Sequence, residues 1–75
     1  MEIKIIAFGS IAAITGKEII LHATDIASMK VALEQLFPAL SDRSYAVAIN
    51  KKLAGANVAF GQNDSVALMP PYSGG

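Results

Sequence analysis

Residues 25–38 read DIASMKVALEQLFP and form the segment with the clearest helical period in the 75-residue sequence. Apolar side chains recur three or four positions apart, at Ile26, Met29, Leu33 and Leu36 or Phe37. That spacing aligns them along one face of a helix. Asp25 is suited to cap the first turn, and Pro38 closes the segment because it has no N–H to donate. The sequence therefore predicts a helix over residues 26–37.

Strand-like segments lie on both sides of this helix. Apolar residues predominate at 2–8, 18–22, 45–50 and 65–69, and each segment contains Ile or Val. The first two segments suit a hairpin with a long connection, in which residues 11–15 are ambiguous, and residues 61–64 (GQND) form a strong turn signal. This order predicts a single α+β domain over residues 1–75, with a mixed sheet of four or five strands packed on one main helix.

Composition excludes several classes of function. Six basic residues balance six acidic ones and are scattered, so nucleic acid is not an expected partner. No apolar stretch approaches the ~20 residues of a membrane span, which predicts a cytoplasmic protein without membrane contact. The sequence has no cysteine, and thiol chemistry is therefore excluded. Only 16% of the residues are charged, which predicts apolar area at the surface for a protein partner.

The tail, residues 70–75, has the sequence PPYSGG. Pro70 and Pro71 have no N–H, so the chain leaves the sheet extended, and the five residues after Pro70 reach about 16 Å. Two glycines at the end suit a segment that enters a channel too narrow for a Cβ atom. The carboxylate of Gly75 is sterically open and can be activated as an acyl adenylate, from which a sulfur donor displaces AMP. A protein without cysteine can carry sulfur in this way.

A Gly-Gly end is equally typical of an inert terminus, because chain ends are commonly small, polar and unconstrained. The double proline, the strand before it and the absence of cysteine favour the functional interpretation only modestly. On these residues alone, both interpretations stay open.

The end of the chain, residues 64–75 (DSVALMPPYSGG), resembles the small subunit of molybdopterin synthase. That family commonly ends in an acidic turn, an apolar strand, two prolines, one variable residue, Ser or Thr, and Gly-Gly. The similarity continues upstream at residues 47–50, at the helix start by Asp25 and at the strand end Phe8-Gly9. The resemblance implies a ubiquitin-like β-grasp fold.

The resemblance also implies a reaction cycle. An adenylating enzyme of the ubiquitin-activating type would use ATP to activate Gly75, and a sulfur donor would convert it to a thiocarboxylate. The tail would then enter the large subunit of the synthase, where sulfur passes to cyclic pyranopterin monophosphate to give molybdopterin. The tail residues expected to insert are Pro70, Pro71, Tyr72, Ser73 and Gly74. Catalytic side chains belong to the large subunit in that family, so none is expected here, nor any permanently bound cofactor.

Two positions depart from the family pattern. Ala12-Ala13 replaces a frequent Arg-Glu pair, and Lys51 stands where Gly often follows the asparagine of the third strand. Three alternatives keep the fold and change the role: a sulfur carrier for thiamine or another sulfurated product, a modifier joined to lysines through Gly75, and an interaction domain with an inert tail.

Three apolar residues before the tail are candidates for a partner surface: Phe60, Leu68 and Met69. Core positions are the default interpretation for each, but an edge strand before an exported tail is a natural docking surface, and part of this group is expected to face outward. His22 is a lone histidine with no cysteine and no cluster of carboxylates nearby, so no metal site is predicted. Asp64 is expected to bond its own turn.

Overall fold

The computed structural model describes residues 1–70. Five strands and two α-helices follow one another along the chain, with a 3₁₀ helix at Pro38–Asp42. In order they are β1 (Glu2–Ala7), α1 (Gly9–Thr15), β2 (Glu18–His22), α2 (Ile26–Leu36), β3 (Ala46–Ile49), β4 (Lys52–Leu53) and β5 (Val66–Met69). The predicted α+β class, with a mixed sheet and one main helix, is confirmed.

The sheet has the strand order β2-β1-β5-β3-β4. β1 and β2 form the predicted antiparallel hairpin, and β5 returns parallel to β1, with Ile5 opposite Val66. On its other side β5 is antiparallel to β3, where Val47 lies opposite Leu68. β5 is therefore a central strand, and its expected place at an edge of the sheet is wrong.

α2 begins and ends where its sequence predicts, to within one residue. The Asp25 carboxylate accepts the Ser28 N–H at 2.8 Å, and the Ser28 hydroxyl accepts the Asp25 N–H at 3.2 Å. This reciprocal pair satisfies two donors that a helix start leaves free. Asn57 adds a third bond, because its side-chain oxygen accepts the Ala27 N–H at 2.9 Å. At the other end Pro38 prevents the helix from continuing beyond Phe37.

The core lies between the sheet and the helices. Alternate residues of each long strand point towards α2, which presents Ile26, Met29 and Leu33. The strands contribute Ile3, Ile5, Ala7, Ile19, Leu21, Val47, Val66 and Leu68 to the same cluster. The face of the sheet opposite α2 is called the open face below.

The helix α1 is the longest element that the sequence does not predict; the 3₁₀ helix and the two-residue strand β4 are the others. α1 occupies part of the long hairpin connection, and among its residues only Ile11 is fully buried. Seven residues with one buried side chain carry too little periodicity to distinguish a helix from a loop. Its position matters for the site, because it begins where β1 ends, beside the base of the tail.

Candidate functional site

The base of the tail, Pro70, follows the end of β5, the central strand of the sheet. Because β1 and β5 are parallel neighbours, both strands end on the same side of the sheet. The Phe8 N–H donates to the Leu68 carbonyl at 3.0 Å. In a parallel ladder the Phe8 carbonyl would next accept the N–H of residue 70. Residue 70 is a proline and has none, so the pairing stops there.

The Phe8 carbonyl finds its partners in α1 instead. It accepts the N–H groups of Ile11 at 3.2 Å and Ala12 at 3.3 Å. The bond that Pro70 cannot make is thus replaced by the first turn of a helix, and neither backbone group of Phe8 is left without a partner. The change from β1 to α1 therefore lies beside the end of β5.

An apolar groove on the open face adjoins this point. Its volume is about 380 Å³, and it is lined mainly by Ile6, Phe8, Ala48, Ala67 and Met69. The open face of an antiparallel or mixed sheet normally carries polar side chains where it contacts water. Phe8 is nonetheless half exposed. An apolar surface beside the start of the tail is suited to bind a protein.

Two of the three residues predicted for a partner surface are core residues. Leu68 is 0% exposed and Phe60 is 7% exposed. Leu68 is buried because β5 is central and its alternate side chains point towards α2. Phe60 is held inward because its N–H donates to the Thr24 carbonyl at 2.9 Å, next to the start of α2. Both are corrected to core positions, and only Met69 lies on the open face and lines the groove.

Of the predicted tail residues, the structure describes Pro70 alone, which is half buried. Pro71, Tyr72, Ser73, Gly74 and Gly75 lie outside the described residues. Their expected roles in insertion and in sulfur attachment stay predictions from the sequence.

A polar network holds the start of β5. The Asp64 carboxylate accepts the Gly61 N–H at 2.7 Å and the Asn50 side-chain amide at 3.0 Å. The Asn50 side-chain oxygen in turn accepts the Ser65 N–H at 3.0 Å. Asp64 therefore bonds its own turn, as predicted, and also ties that turn to the end of β3. Lys51, at the position where the resemblance leads one to expect glycine, has φ +71°, a left-handed conformation that favours glycine.

The network predicts an acid-sensitive contribution to stability. The Gly61 N–H, and then the Asn50 amide, hold the pKa of the Asp64 carboxyl below its usual value of 3.8. A carboxyl whose pKa is lower in the folded chain than in the unfolded chain stabilises the fold when the pH is above its unfolded-chain pKa. This stabilisation is lost as the pH falls through its folded-chain pKa. We therefore expect the melting temperature of Asp64→Ala to lie several degrees below that of wild type at pH 7, and the gap to close in acid.

Thermal melts of both proteins between pH 7 and pH 2 measure this gap. Asp25, whose pKa the Ser28 N–H also lowers, titrates in both proteins and so cancels in the comparison. Asp42→Ala, at an exposed carboxylate, is the control. A gap of equal size at every pH would show that the Asp64 charge does not contribute.

The other polar side chains suggest structural roles. The Tyr45 hydroxyl donates to Glu34 at 3.0 Å, and the Lys30 ammonium lies 5.5 Å from the Tyr45 ring centre. Burial, and then the contact with Glu34, raise the pKa of Tyr45, so the phenol stays protonated at neutral pH. His22 is exposed. Within residues 1–70 no three His, Asp or Glu side chains lie together as metal ligands would.

Helix length in the described part of the chain also bears on the membrane. None of the helices between residues 1 and 70 is long and apolar enough to cross a bilayer.

Comparison with known proteins gives one family and several solved structures. The model of the ThiS family matches residues 5–75. A chain in the complex of subunits 1 and 2 of molybdopterin-converting factor from Helicobacter pylori 26695 is 26% identical, with a TM-score of 0.73 and 100% of both chains covered. No curated protein sequence gives a significant match.

Two archaeal structures share the same fold. SAMP1 from Haloferax volcanii is 22% identical, with a TM-score of 0.80 and full coverage of both chains. Small archaeal modifier protein 1 from Methanosarcina acetivorans is 21% identical, with a TM-score of 0.81 and coverage of 99% of this chain and 96% of that one. The ubiquitin-like β-grasp fold implied by the resemblance is confirmed by these likenesses.

Proposed function

Because the chain belongs to the ThiS family of ubiquitin-like sulfur carriers, we propose that it carries sulfur as a thiocarboxylate on Gly75 and delivers it for molybdopterin synthesis. Its acceptor is cyclic pyranopterin monophosphate, and it acts as the small, non-catalytic subunit of molybdopterin synthase. The observation that carries the proposal is that the central strand β5 ends at Met69, immediately before the tail and beside an apolar groove.

Two comparisons support this choice. The family match extends to Gly75 and so includes the whole tail. The Helicobacter pylori chain, which aligns over its full length, was solved in a complex of two subunits of molybdopterin-converting factor. A second, larger subunit is accordingly the partner that we propose for this chain.

The proposed charging has two steps. A carboxylate oxygen of Gly75 attacks the α-phosphorus of ATP in an adenylating enzyme, pyrophosphate leaves, and an acyl adenylate forms. The sulfur of a hydrosulfide, or of a protein persulfide whose S–S bond a thiol then reduces, attacks the carbonyl carbon and displaces AMP. This chain contributes the reacting carboxylate and no catalytic side chain. It is a cosubstrate that is charged again after each delivery.

The groove has a role in both encounters. The groove presents an apolar surface, which includes Ile6, Phe8 and Met69, and either partner can bury it while the tail enters that partner's active site. Docking through the body supplies binding energy, and the tail is then held near the reacting groups as if the reaction were intramolecular. We propose that the adenylating enzyme and the large subunit use this same surface in turn.

The likeness to the archaeal modifier proteins makes protein modification the second candidate function. At 22% and 21% identity they share the fold and do not decide the chemistry. A modifier and a sulfur carrier have the adenylation step in common, and they differ in the nucleophile that displaces AMP. An amine gives an isopeptide bond to a lysine, whereas a sulfur donor gives the thiocarboxylate. A carrier for thiamine differs only in the acceptor of that sulfur.

Intact mass distinguishes these outcomes. We expect the purified chain, incubated with ATP, sulfide and cell extract, to gain the mass of sulfur minus that of oxygen at Gly75, and to gain nothing when ATP is omitted. The charged chain, supplied with a large subunit and cyclic pyranopterin monophosphate, should return to its original mass as molybdopterin appears. A ladder of conjugates on a gel would instead identify a modifier, and the absence of both the mass gain and the ladder would contradict both functions.

A further inference from the structure

Gly9 and Pro70 are in contact at the base of the tail. A Cβ atom placed on Gly9 would lie 2.8 Å from Cγ of Pro70 and 3.3 Å from Cδ. Ordinary contacts of a Cβ atom begin at 3.4 Å. The proline ring is closed onto its own backbone, so it cannot yield as the tip of a long side chain would. Any residue other than glycine at position 9 has to displace either the start of α1 or Pro70.

The start of α1 is the more firmly held of the two. The Phe8 N–H is bonded to the Leu68 carbonyl, and the Phe8 carbonyl is bonded to the N–H groups of Ile11 and Ala12. Gly9 itself has φ +56°, a left-handed conformation that turns the end of β1 into the helix. Pro70 has no N–H with which to hold its place in the ladder. A Cβ on Gly9 would therefore displace the Pro70 ring and the chain that follows.

We propose that Gly9 is a positioning residue for the tail. The absence of a side chain lets the Pro70 ring lie on the backbone where β1 becomes α1, and this contact sets the direction in which residues 71–75 leave the body. The inference rests on the proposed function, in which Gly75 has to reach a reaction centre in a partner. A displacement at the base of the tail changes the position of its tip, up to about 16 Å further along.

Gly16 provides a matched control. It also has a positive φ, +87°, but a Cβ atom placed there would meet nothing within 4 Å. Alanine at either position imposes a positive φ on a residue with a side chain, and at Gly16, where ψ is 169°, the backbone conformation is one that essentially only glycine adopts. Only the substitution at Gly9 also displaces Pro70. The difference between the two variants isolates that contact from backbone strain.

The test is the rate of charging with ATP and sulfide by an adenylating enzyme that charges the wild-type chain. We expect kcat for Gly9→Ala to fall by roughly tenfold to a hundredfold, the effect of misplacing a reacting group by about 1 Å. KM should change little, because the groove that docks the body is intact. Gly16→Ala should charge like wild type at a temperature where thermal melts show both variants folded.

A double variant tests the contact itself. Pro70→Ala removes the ring contact that the Cγ and Cδ atoms make. Gly9→Ala should therefore lower the charging rate of the Pro70→Ala chain much less than it lowers the charging rate of the wild-type chain. If Gly9→Ala does not fold, recovery of folding in the double variant traces that loss to the same ring. Equal charging of Gly9→Ala and Gly16→Ala, or no relief in the double variant, overturns the role of Gly9. Failure to charge wild type with any adenylating enzyme would instead overturn the proposed function.

Discussion

A chain with leucine in place of Gly74 is expected to fold normally and to lose at least about 99% of its charging activity. Glycine has no side chain, so a change at Gly74 removes no side-chain packing, and the core that the structure describes within residues 1–70 runs from Ile3 to Leu68. The loss is expected because, on the proposed function, the tail would enter a channel that leaves no room for a Cβ atom, and a leucine side chain would block that entry. Intact mass after charging measures the loss, and a thermal melt verifies the fold.

Tyr72→Leu is the matched control for this variant. It places the same side chain two residues earlier, at the position that varies within the family that the tail resembles. We expect it to be charged at close to the wild-type rate. Normal thiocarboxylate formation in Gly74→Leu would disprove the narrow channel, and equal loss in both variants would show that the tail tolerates no bulk anywhere.

Aspartate at Leu68 and at Met69 should give opposite results, although the two residues are neighbours. Leu68 is fully buried between β1 and β3. Leu68→Asp loses the packing of a large side chain and places a carboxylate in an apolar core, which together cost about 4 kcal/mol or more. Small domains have total stabilities near the lower end of about 5–15 kcal/mol. This variant should be largely unfolded at 37 °C.

Met69→Asp changes the groove and leaves the core unchanged. Its side chain is on the open face, so we expect a folded protein with a melting temperature within several degrees of wild type. Its affinity for the large subunit should fall more than about tenfold, because a charge then has to be desolvated at the interface. Circular dichroism melts and calorimetric titration measure the two effects. A folded Leu68→Asp chain would contradict the central position of β5, and wild-type binding by Met69→Asp would contradict docking through the groove.

Local determinants explain which parts of the fold can be predicted from sequence. The bounds of α2 depend on Asp25, on Pro38 and on the spacing of apolar residues between them, all within one segment. The turn before β5 likewise depends on Asp64 and its immediate neighbours. Such features need no knowledge of the rest of the chain.

Contacts between distant segments explain what sequence does not predict. The pairing of Ile5 with Val66 places β5 at the centre of the sheet, and nothing within residues 65–69 distinguishes a central strand from an edge strand. The burial of Leu68, the default interpretation of that residue, follows from the same pairing. The tail motif is visible in the sequence, but the need for glycine at position 9 arises from Pro70, at the other end of the chain.

The central position of β5 also determines when the chain can fold during translation. β5 is translated after all the other strands, and until it emerges from the ribosome β1 and β3 have no strand between them. Folding therefore waits for a contact between distant parts of the chain, which is slow compared with helix formation. A truncated product of translation that ends before β5 has no complete sheet and is a substrate for proteases. A chain that completes the sheet has therefore been translated as far as the base of the tail, and folded bodies that stop short of it would not compete for the proposed partners.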